Sequence, residues 1–387
     1  MRAITHVAIA LLTAGLPVTT AAQDLNPLTL EQFDAKYLPE FATDFTWPDR
    51  DDKGYGPTLA WSASYHLMAL AGLYEVTGDA EYLEEALALI EAAFTRRDSD
   101  LAAKYPQRSY VDYFKHRPLR SWGKFRPECG NSYMAFICNV GMPLYGMARC
   151  VRLIREGGEA TAPYLQRANA LVPMMEAAIA EFDVDGREGP AEGMGYYVMT
   201  HYQVAPNNIS NSVGRALFAL YDITDKPEYL IRATKLATFF KSKLTHVEDG
   251  DYYQWAYEQH TPDGPPGTGE DISHAGINAH FMYVAWEHGA AFDDTDMQRL
   301  ASTFTHAFQP DATGGFSWDL GKPDRRNLSQ SARWLFLARF DPAIEQSYLE
   351  FVASRGDVGP ASPTLAALAY SYLLRARKLR AQDQAAD

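Results

Sequence analysis

Two polar groups, each at the start of a predicted helix, carry the residues best suited to proton chemistry. In the first, Glu270-Asp271-Ile272-Ser273-His274, both Asp271 and Ser273 are good N-cap residues. His274 then falls in the first helical turn. Glu270 or Asp271 can hydrogen-bond one of its ring nitrogens and leave the other for a ligand. A histidine with such a partner can accept a proton from a ligand. The structural alternative is that the carboxylates only cap the helix and His274 packs against a neighbouring hairpin.

The second group is Asn207, Asn208 and Asn211, at the start of a helix predicted to run to Tyr221. Side-chain amides can hydrogen-bond a carboxylate and stabilise the enolate that forms when the carbon beside it loses a proton. One of the three is equally suited to cap the helix. We therefore expect one cap and at most two functional amides.

The loops between predicted helices add basic and aromatic side chains. Residues 117–131 form the most basic stretch, whose arginines suit either substrate carboxylates or structural ion pairs. Aromatic rings in the loops could stack on sugar faces, and a core role is equally plausible for each. The remaining candidates for catalysis or substrate binding are Arg120, Trp122, Asn131, Tyr197, His201, Tyr202, Tyr253, Trp255 and Arg333.

Neither a metal ion nor an organic cofactor is predicted. His274 and His280 fall on different faces of their helix, and no two histidines stand one helical turn apart. His260 and Glu270 lie near them in the sequence but do not complete a known ligand spacing. Glycine-rich phosphate loops, a dinucleotide fingerprint and a Gly-x-Ser-x-Gly turn are absent too.

Repeated helical hairpins must position these groups. Residues 73–86 return as residues 220–233: an apolar helix end, a turn of Thr with Gly or Asp, then a Tyr-Leu pair that opens a second helix. Weaker copies occupy residues 146–168, 283–297 and 335–349. The spacing, roughly 55 to 75 residues, exceeds that of open helical solenoids because long loops separate the hairpins. Five to seven hairpins, with six or seven favoured, can close into an all-α (α/α) toroid with a loop-lined cavity. That architecture favours an enzyme.

Residues 1–22 have the features of a secretory signal peptide. Arg2 supplies the charged start, residues 7–16 a short apolar core, and small residues the cleavage site. The core is too short to cross a bilayer. We expect residues 23–387 to form a single toroid catalytic domain of a secreted or periplasmic protein.

The net charge limits the classes of binding partner, and the cysteine content limits the role of disulfides. A formal net charge of −14 is unsuited to nucleic acid or anionic membrane. The three cysteines are too few for a disulfide framework. Cys129 and Cys138 could pair, or all three, Cys150 included, could be buried thiols. The sequence does not indicate an oligomeric state.

The hairpins, the Asn-rich helix start after a Tyr-rich loop, and residues 270–274 together resemble secreted (α/α) toroid polysaccharide lyases that act on uronate polymers such as alginate or glucuronan. The hairpins are also similar to those of glucuronyl C5-epimerase catalytic domains. The resemblance implies β-elimination on an acidic polysaccharide or oligosaccharide. Asn208, helped by Arg120 or Asn211, would neutralise the carboxylate, and His274, oriented by Glu270, would remove the C5 proton.

The resemblance leaves the general acid open. Such lyases often place a tyrosine late in the chain, where this sequence has Arg333-Trp334 and then Phe340. Tyr197 or Tyr202 would then protonate the leaving oxygen.

Three other functions fit the same pattern. A glycoside hydrolase would use Glu270 or Asp271 as general acid with a second carboxylate across the cleft, namely Asp183, Asp185 or Glu192. A C5-epimerase would share the proton abstraction. An exported saccharide-binding protein would bind without turnover.

Overall fold

The computed structural model describes residues 29–127, 130–199, 203–258, 261–263, 270–308, 328–354 and 362–386. The predicted signal peptide lies outside them. None of the helices in these ranges is long and apolar enough to cross a membrane. The helices are α1 (Leu30–Tyr37), α2 (Gly56–Thr58), α3 (Ser64–Thr77), α4 (Glu81–Phe94), α5 (Asp98–Lys104), α6 (Cys138–Glu156), α7 (Leu165–Ala180), α8 (Asn207–Thr224), α9 (Pro227–Lys241), α10 (Ile272–Glu287), α11 (Asp294–Ser302), the 3₁₀ helix Leu328–Arg339, α12 (Ala343–Ser354) and α13 (Pro363–Ala386).

Six of these helices form a closed inner ring. Helices α3, α6, α8, α10, the 3₁₀ helix and α13 each pack on the next, and α13 packs back on α3. Their outer partners are, in the same order, α4, α7, α9, α11, α12 and α1. The described residues therefore form six hairpins, and the predicted (α/α) toroid is confirmed. The sixth hairpin joins the first and last helices, a pairing that the sequence pattern did not indicate.

The inner helices are apolar on nearly every side because other helices surround them. Residues 64–73 of α3 are all buried, and so are residues 138–151 of α6. The outer helices are amphipathic instead: in α4 the buried positions, such as Leu83, Leu87 and Ile90, follow helical spacing. The periodicity of the sequence therefore separates the two layers.

The short turns between inner and outer helices lie at one end of the toroid. After α3, Gly78 adopts φ 75°, and its N–H bonds to Tyr74 O at 2.8 Å. After α8, Asp225 adopts φ 55° with the same bond, to Tyr221 O at 2.8 Å. The turn residues Gly and Asp of the sequence repeat thus end their helices in the left-handed region.

Replacing Gly78 by Ala should lower the free energy of unfolding by about 1 kcal/mol, because a Cβ is strained at this φ. A Cβ built there meets no atom within 4 Å, so the loss reports backbone strain alone. Urea denaturation midpoints measure it. Gly78→Asn is the matched control and should cost less, since Asn tolerates the left-handed region. Equal losses for the two variants would contradict this explanation.

The long loops, which lead from each outer helix to the next inner one, lie at the opposite end and contain short antiparallel strands. β1 (Lys124–Arg126) pairs with β2 (Ser132–Met134), and β6 (Thr245–Val247) pairs with β7 (Tyr252–Gln254). Between them in sequence, β3 (Gly186–Glu188), β4 (Gly195–Met199) and β5 (Gln203–Val204) form a third sheet. The all-α prediction did not include these strands, because segments of two to five residues are too short for an alternating pattern to show.

The described cysteines are structural. Cys138 and Cys150 are free and buried in the core around α6. Burial raises the pKa of each thiol to about 12, so both stay protonated near neutral pH. Cys129, the predicted partner of Cys138, lies outside the described residues.

Candidate functional site

The long-loop end of the toroid forms the mouth, where the inner helices begin. Five residues around the start of α10 form what we call the mouth cluster: Trp61, Tyr257, Glu270, Asp271 and His274. Trp61 lies in the helical turn that precedes α3, and Tyr257 lies in the loop before α10. Glu270 and the N-cap Asp271 precede α10 directly, and His274 lies in its first turn.

Asp271 and His274 form a hydrogen-bonded pair at the helix start. Asp271 is the N-cap of α10, and its Oδ1 accepts from the backbone N–H groups of Ser273 at 2.8 Å and His274 at 3.1 Å. Its Oδ2 bonds to His274 Nδ1. The His274 side chain is 32% exposed, so Nε2 is the ring nitrogen left for a ligand. Asp271 thus both caps the helix and orients the imidazole.

The pKa of Asp271 reflects two opposing effects. Burial raises it, but the bonds from His274 and from the backbone N–H groups lower it more, so the net pKa lies below 3.8. A carboxyl group with a depressed pKa stabilises the fold above its unfolded pKa, and that contribution is lost as the pH falls through the folded value. Asp271 is therefore ionised throughout the neutral pH range.

Glu270 lies beneath the pair and is fully buried. Its Oε2 accepts from Asn278 Nδ2 at 2.9 Å, and Asn278 Oδ1 accepts from Asn211 Nδ2 at 2.8 Å. Glu270 Oε1 is 3.9 Å from His274 Nδ1, so Asp271 and not Glu270 makes the direct bond to the ring. This chain of amides links α10 to α8, and it gives Asn211 a structural partner.

Two aromatic rings border the histidine. The ring centroids of Tyr257 and His274 are 5.3 Å apart, and those of Trp61 and His274 are 6.1 Å apart. Trp61 is 39% exposed, which suits a face on which a sugar could stack. Burial, followed by the charges of Glu270 and Glu258, raises the pKa of Tyr257 to about 12. The phenol therefore keeps its proton and can donate it or hydrogen-bond an oxyanion.

Replacing Tyr257 by Phe should lower kcat by about 10- to 100-fold and change KM little, because a donor to a developing oxyanion acts mainly in the transition state. Steady-state kinetics on the substrate identified by the assays below measure the effect. The control is Tyr164→Phe, at the short-turn end, where the hydroxyl bonds to Glu84 at 3.1 Å. Full activity of the Tyr257 variant would remove the phenol from the reaction.

The sequence predicted that one of the three asparagines at the start of α8 caps the helix, and the structure differs. None of them caps the helix: the N-cap position is Pro206, without a side-chain hydrogen bond. Asn207 turns instead to the loop before α10 and donates from Nδ2 to Ala256 O at 2.8 Å. Asn208 is 2% exposed, and its Oδ1 has no hydrogen-bond partner among the described residues. Asn208 Oδ1 is thus a buried acceptor that lacks a partner in the described part of the chain.

The predicted residues of the 117–131 loop do not join the mouth cluster. Arg120 Nε pairs with Glu181 Oε1 at 3.2 Å, at the end of outer helix α7. Trp122 is fully buried and donates from Nε1 to Ala93 O at 3.0 Å. Asn131 is exposed in the turn between β1 and β2, at φ 61°. These contacts fit the interpretation that the basic loop forms structural ion pairs and packs against the core.

Other predicted aromatic residues also have structural partners. Tyr197 is 2% exposed, and its hydroxyl accepts from Arg232 of α9. Tyr253 donates to Asp296 Oδ1 at 2.7 Å. Trp255 is buried and stacks on Trp334, with ring centroids 6.4 Å apart. The two remaining candidates of this loop system, His201 and Tyr202, lie outside the described residues.

The carboxylates proposed for hydrolysis are not gathered opposite Glu270. Asp183 pairs with Arg232 at 2.7 Å, and Asp185 pairs with Lys115 at 2.9 Å. Glu192 is exposed in the loop before β4.

Glu270, Asp271 and His274 are also the described residues that could hold a metal ion, since one ligand atom from each lies within 4.8 Å of the others. The bond between Asp271 Oδ2 and His274 Nδ1 occupies two of those atoms. Hydrogen bonding within the cluster is therefore enough to explain the proximity.

Several residues of this region were not predicted as site residues. They are Trp61 and Tyr257 of the mouth cluster, Asn278 beneath it, and Arg215 deeper in the ring. Asn278 and Arg215 carry a recognisable signal, because each interrupts an otherwise apolar stretch of an inner helix. Tyr257 ends the aromatic segment 251–257, from which only Tyr253 and Trp255 were predicted as site residues. Trp61 carries no signal, since nothing in its local sequence places it beside a histidine far away in the chain.

Comparison with known proteins supports the fold. No protein-family model matches the sequence, and no curated protein sequence matches it significantly. Among solved structures, the chain is similar to a sugar epimerase from a ruminal bacterium, at 11% identity and a TM-score of 0.53 over 89% of this chain and 97% of that one. It is also similar to the cellobiose 2-epimerase of Spirochaeta thermophila DSM 6192, at 12% identity and a TM-score of 0.52 over 90% and 97%.

A third similar structure is the GH76A α-1,6-mannanase of Salegentibacter sp. HEL1_6, at 15% identity and a TM-score of 0.51 over 91% of this chain and 97% of that one. An inactive variant of that mannanase has been solved with α-1,6-mannotriose. At such identities the likeness establishes the (α/α) toroid, a fold that these carbohydrate-processing enzymes share.

Proposed function

We propose that the protein is a carbohydrate-active enzyme that epimerises a neutral saccharide: His274 removes a proton from a carbon beside a carbonyl group and returns one to the opposite face of that carbon after the enolate has turned in the site. The observation that carries the proposal is the Asp271–His274 pair at the mouth, with its Nε2 left for a ligand. A carboxylate-oriented imidazole is a general base. Tyr257, protonated and in contact with the histidine ring, can stabilise the enolate oxygen.

The charge around the mouth cluster favours a neutral substrate. The charges of Glu258, Glu270 and Asp271 all act on Tyr257 and raise its pKa, so negative charge reaches the phenol of the mouth cluster. A uronate carboxylate bound there would be repelled. The two epimerases among the similar structures, one of them a cellobiose 2-epimerase, support a neutral sugar as substrate.

β-Elimination on a uronate polymer is the second candidate, and Asn208 is the observation that favours it. Its buried amide oxygen lacks a partner among the described residues and, because an amide oxygen accepts, it suits the O–H of a protonated carboxyl group or of a hydroxyl group. Two other groups proposed for that task, Arg120 and Asn211, are bound to Glu181 and Asn278. Of the three groups proposed to neutralise a uronate carboxylate, two are thus engaged within the protein and the third presents an acceptor, which is why we place epimerisation first.

Hydrolysis is supported by the mannanase among the similar structures, but the described carboxylates argue against it. Glu270 and Asp271 are adjacent, and each is hydrogen-bonded within the protein. Hydrolysis requires two carboxyl groups that flank the scissile bond, at about 5 to 9.5 Å from one another. Asp183 and Asp185 are held in ion pairs elsewhere.

One set of assays separates the candidates. The purified protein is incubated with neutral reducing mono- and disaccharides and with polyuronates, and three products are followed: a new epimer by chromatography, ultraviolet absorbance from an unsaturated uronate, and new reducing ends. The proposal predicts an epimer from a neutral sugar and neither of the other two products. Absorbance on a polyuronate would instead assign a lyase, and new reducing ends alone would assign a hydrolase.

Export is part of the proposal, on the strength of residues 1–22. Expression of the full chain in a Gram-negative host should deposit it in the periplasm with an N-terminus near residue 23. Sequencing of that N-terminus checks the cleavage, and an intact Met1 on cytoplasmic protein would contradict it.

A further inference from the structure

A small cavity lies on the toroid axis, between the inner helices. Its volume is about 10 Å³, which corresponds to the space occupied by a single water-sized particle. Apolar side chains form part of the wall, among them Met68, Ile277 and Leu368. The polar residues that line it are Tyr65, Arg215, His280, Arg333 and Tyr372.

Arg215 brings a buried positive charge to this cavity. The residue is 1% exposed. Its Nη2 donates to Met142 Sδ at 3.0 Å, and its Nη1 lies 3.5 Å from His280 Nδ1. Its Nε is buried without a partner, and no carboxylate among the described residues forms an ion pair with it. Sulfur and imidazole are weak substitutes for a counter-ion.

Arg333 brings a second charge to the same cavity. Its guanidinium stacks on the Tyr65 ring, 3.8 Å from the centroid, and Nη1 donates to Ser273 Oγ at 2.7 Å. Its Nε is also buried and without a hydrogen-bond partner in the described part of the chain, where it forms no ion pair either. Desolvation and the charge of Arg215 both act to lower the pKa of Arg333.

The hydroxyl groups of Tyr65 and Tyr372 complete the lining. Both residues are at least nine-tenths buried, and neither hydroxyl has a hydrogen-bond partner among the described residues. Four unsatisfied groups that can donate, from two arginines and two tyrosines, thus surround one water-sized space. A buried donor without an acceptor costs about 1 to 3 kcal/mol, and an unpaired charge costs more.

Elsewhere in the described part of the chain, the buried Arg149 and the half-buried Arg375 have carboxylate partners. Arg149, at 5% exposure, bonds to Glu75 through Nη2. Arg375 bonds to Glu287 Oε1 at 3.1 Å. The cavity on the axis has two guanidinium groups and no acidic lining residue. These donors therefore suit a small acceptor that carries a negative charge.

We propose that this cavity is a binding site for a monatomic anion of the halide class, with chloride as the physiological occupant, held between Arg215 and Arg333 and by the hydroxyls of Tyr65 and Tyr372. The size of the cavity favours a monatomic ion over a carboxylate or phosphate. Arg333 also holds Ser273, the residue before His274, so the anion would fix the start of α10 from beneath the mouth. The proposal does not depend on the reaction that His274 performs.

Thermal unfolding of the full mature chain tests the proposal. Sodium chloride replaces sodium gluconate from 1 to 100 mM at constant ionic strength. We expect the melting temperature of the wild type to rise by about 3 °C, as linkage requires for a ligand that binds only the folded state. Arg333→Met should lose this rise. Arg167→Met, which removes a surface ion pair with Glu91, should keep it.

Crystals grown with sodium bromide give a second readout that does not require a stable variant. We expect one anomalous bromide peak between Arg215 and Arg333. The proposal would be overturned if the wild-type melting temperature did not change with chloride and no bromide peak appeared in the cavity. Density for the oxygen of a bound sugar in the cavity would also overturn it, by assigning the donors to the substrate.

Discussion

His274→Ala should lower kcat/KM by about 100- to 10,000-fold, because a positioned general base contributes about that much to proton transfer. The loss should appear in kcat, since the imidazole acts on the reacting proton and contributes little to ground-state binding. Initial rates of epimer formation measure it. The side chain is 32% exposed, so its removal should change the melting temperature little.

The control is a second His–Asp pair of the same chain. His246 Nε2 bonds to Asp251 Oδ1 at 2.6 Å in the β6–β7 hairpin, and the pair is more exposed than that at the mouth. His246→Ala should leave the rate unchanged. Equal activity of both variants would remove His274 from the reaction, whichever substrate is used.

Asp271→Asn should lower kcat by about 100-fold or more while the protein stays folded. Asn caps a helix about as well as Asp, so the bonds to Ser273 N and His274 N survive. The carboxylate that holds Nδ1 and stabilises the imidazolium is lost, and a neutral amide can favour the wrong tautomer. Kinetics and melting temperature are measured on the same preparation.

Asp293→Asn provides the comparison for capping alone. Asp293 is the N-cap of α11 and accepts from Asp296 N at 3.0 Å, without a histidine partner. Its substitution should leave kcat unchanged. If the Asp271 variant loses stability and activity in the same proportion as the Asp293 variant, Asp271 is only a cap.

The helical architecture could be predicted because it repeats. The apolar helix ends, the Thr-containing turns and the Tyr-Leu helix starts appear in the sequence, and five of the six hairpins follow from them. The sixth could not be predicted, because α1 and α13 stand at opposite ends of the sequence and only ring closure brings them together. The three small sheets were missed because their strands are too short for a period of two to be visible.

The candidate site was predictable where its chemistry is local in the chain. Asp271 and His274 are three residues apart at a helix start, so helical geometry alone sets their contact. Trp61 and Tyr257 reach His274 through the fold, which no local pattern encodes. The same holds for the basic loop: the counter-ion of Arg120 is Glu181, at the end of α7, and no local pattern indicates that pairing.

The toroid itself does not decide between the proposed reactions. Epimerases and a mannanase share it with this chain at identities of 11 to 15%, so function has to be argued from the residues at the mouth. At the mouth, we expect His274 to move a proton between solvent and a sugar carbon.

Proton exchange with solvent tests that claim most directly. The enzyme is incubated in D₂O with the neutral saccharide that it converts, or with each sugar of the panel, and deuterium beside the carbonyl carbon is followed by NMR. The account predicts deuterium at that carbon in both epimers with the wild type and with His246→Ala, and none with His274→Ala. Product formed without deuterium at any sugar carbon, or exchange that persists in the His274 variant, would contradict it.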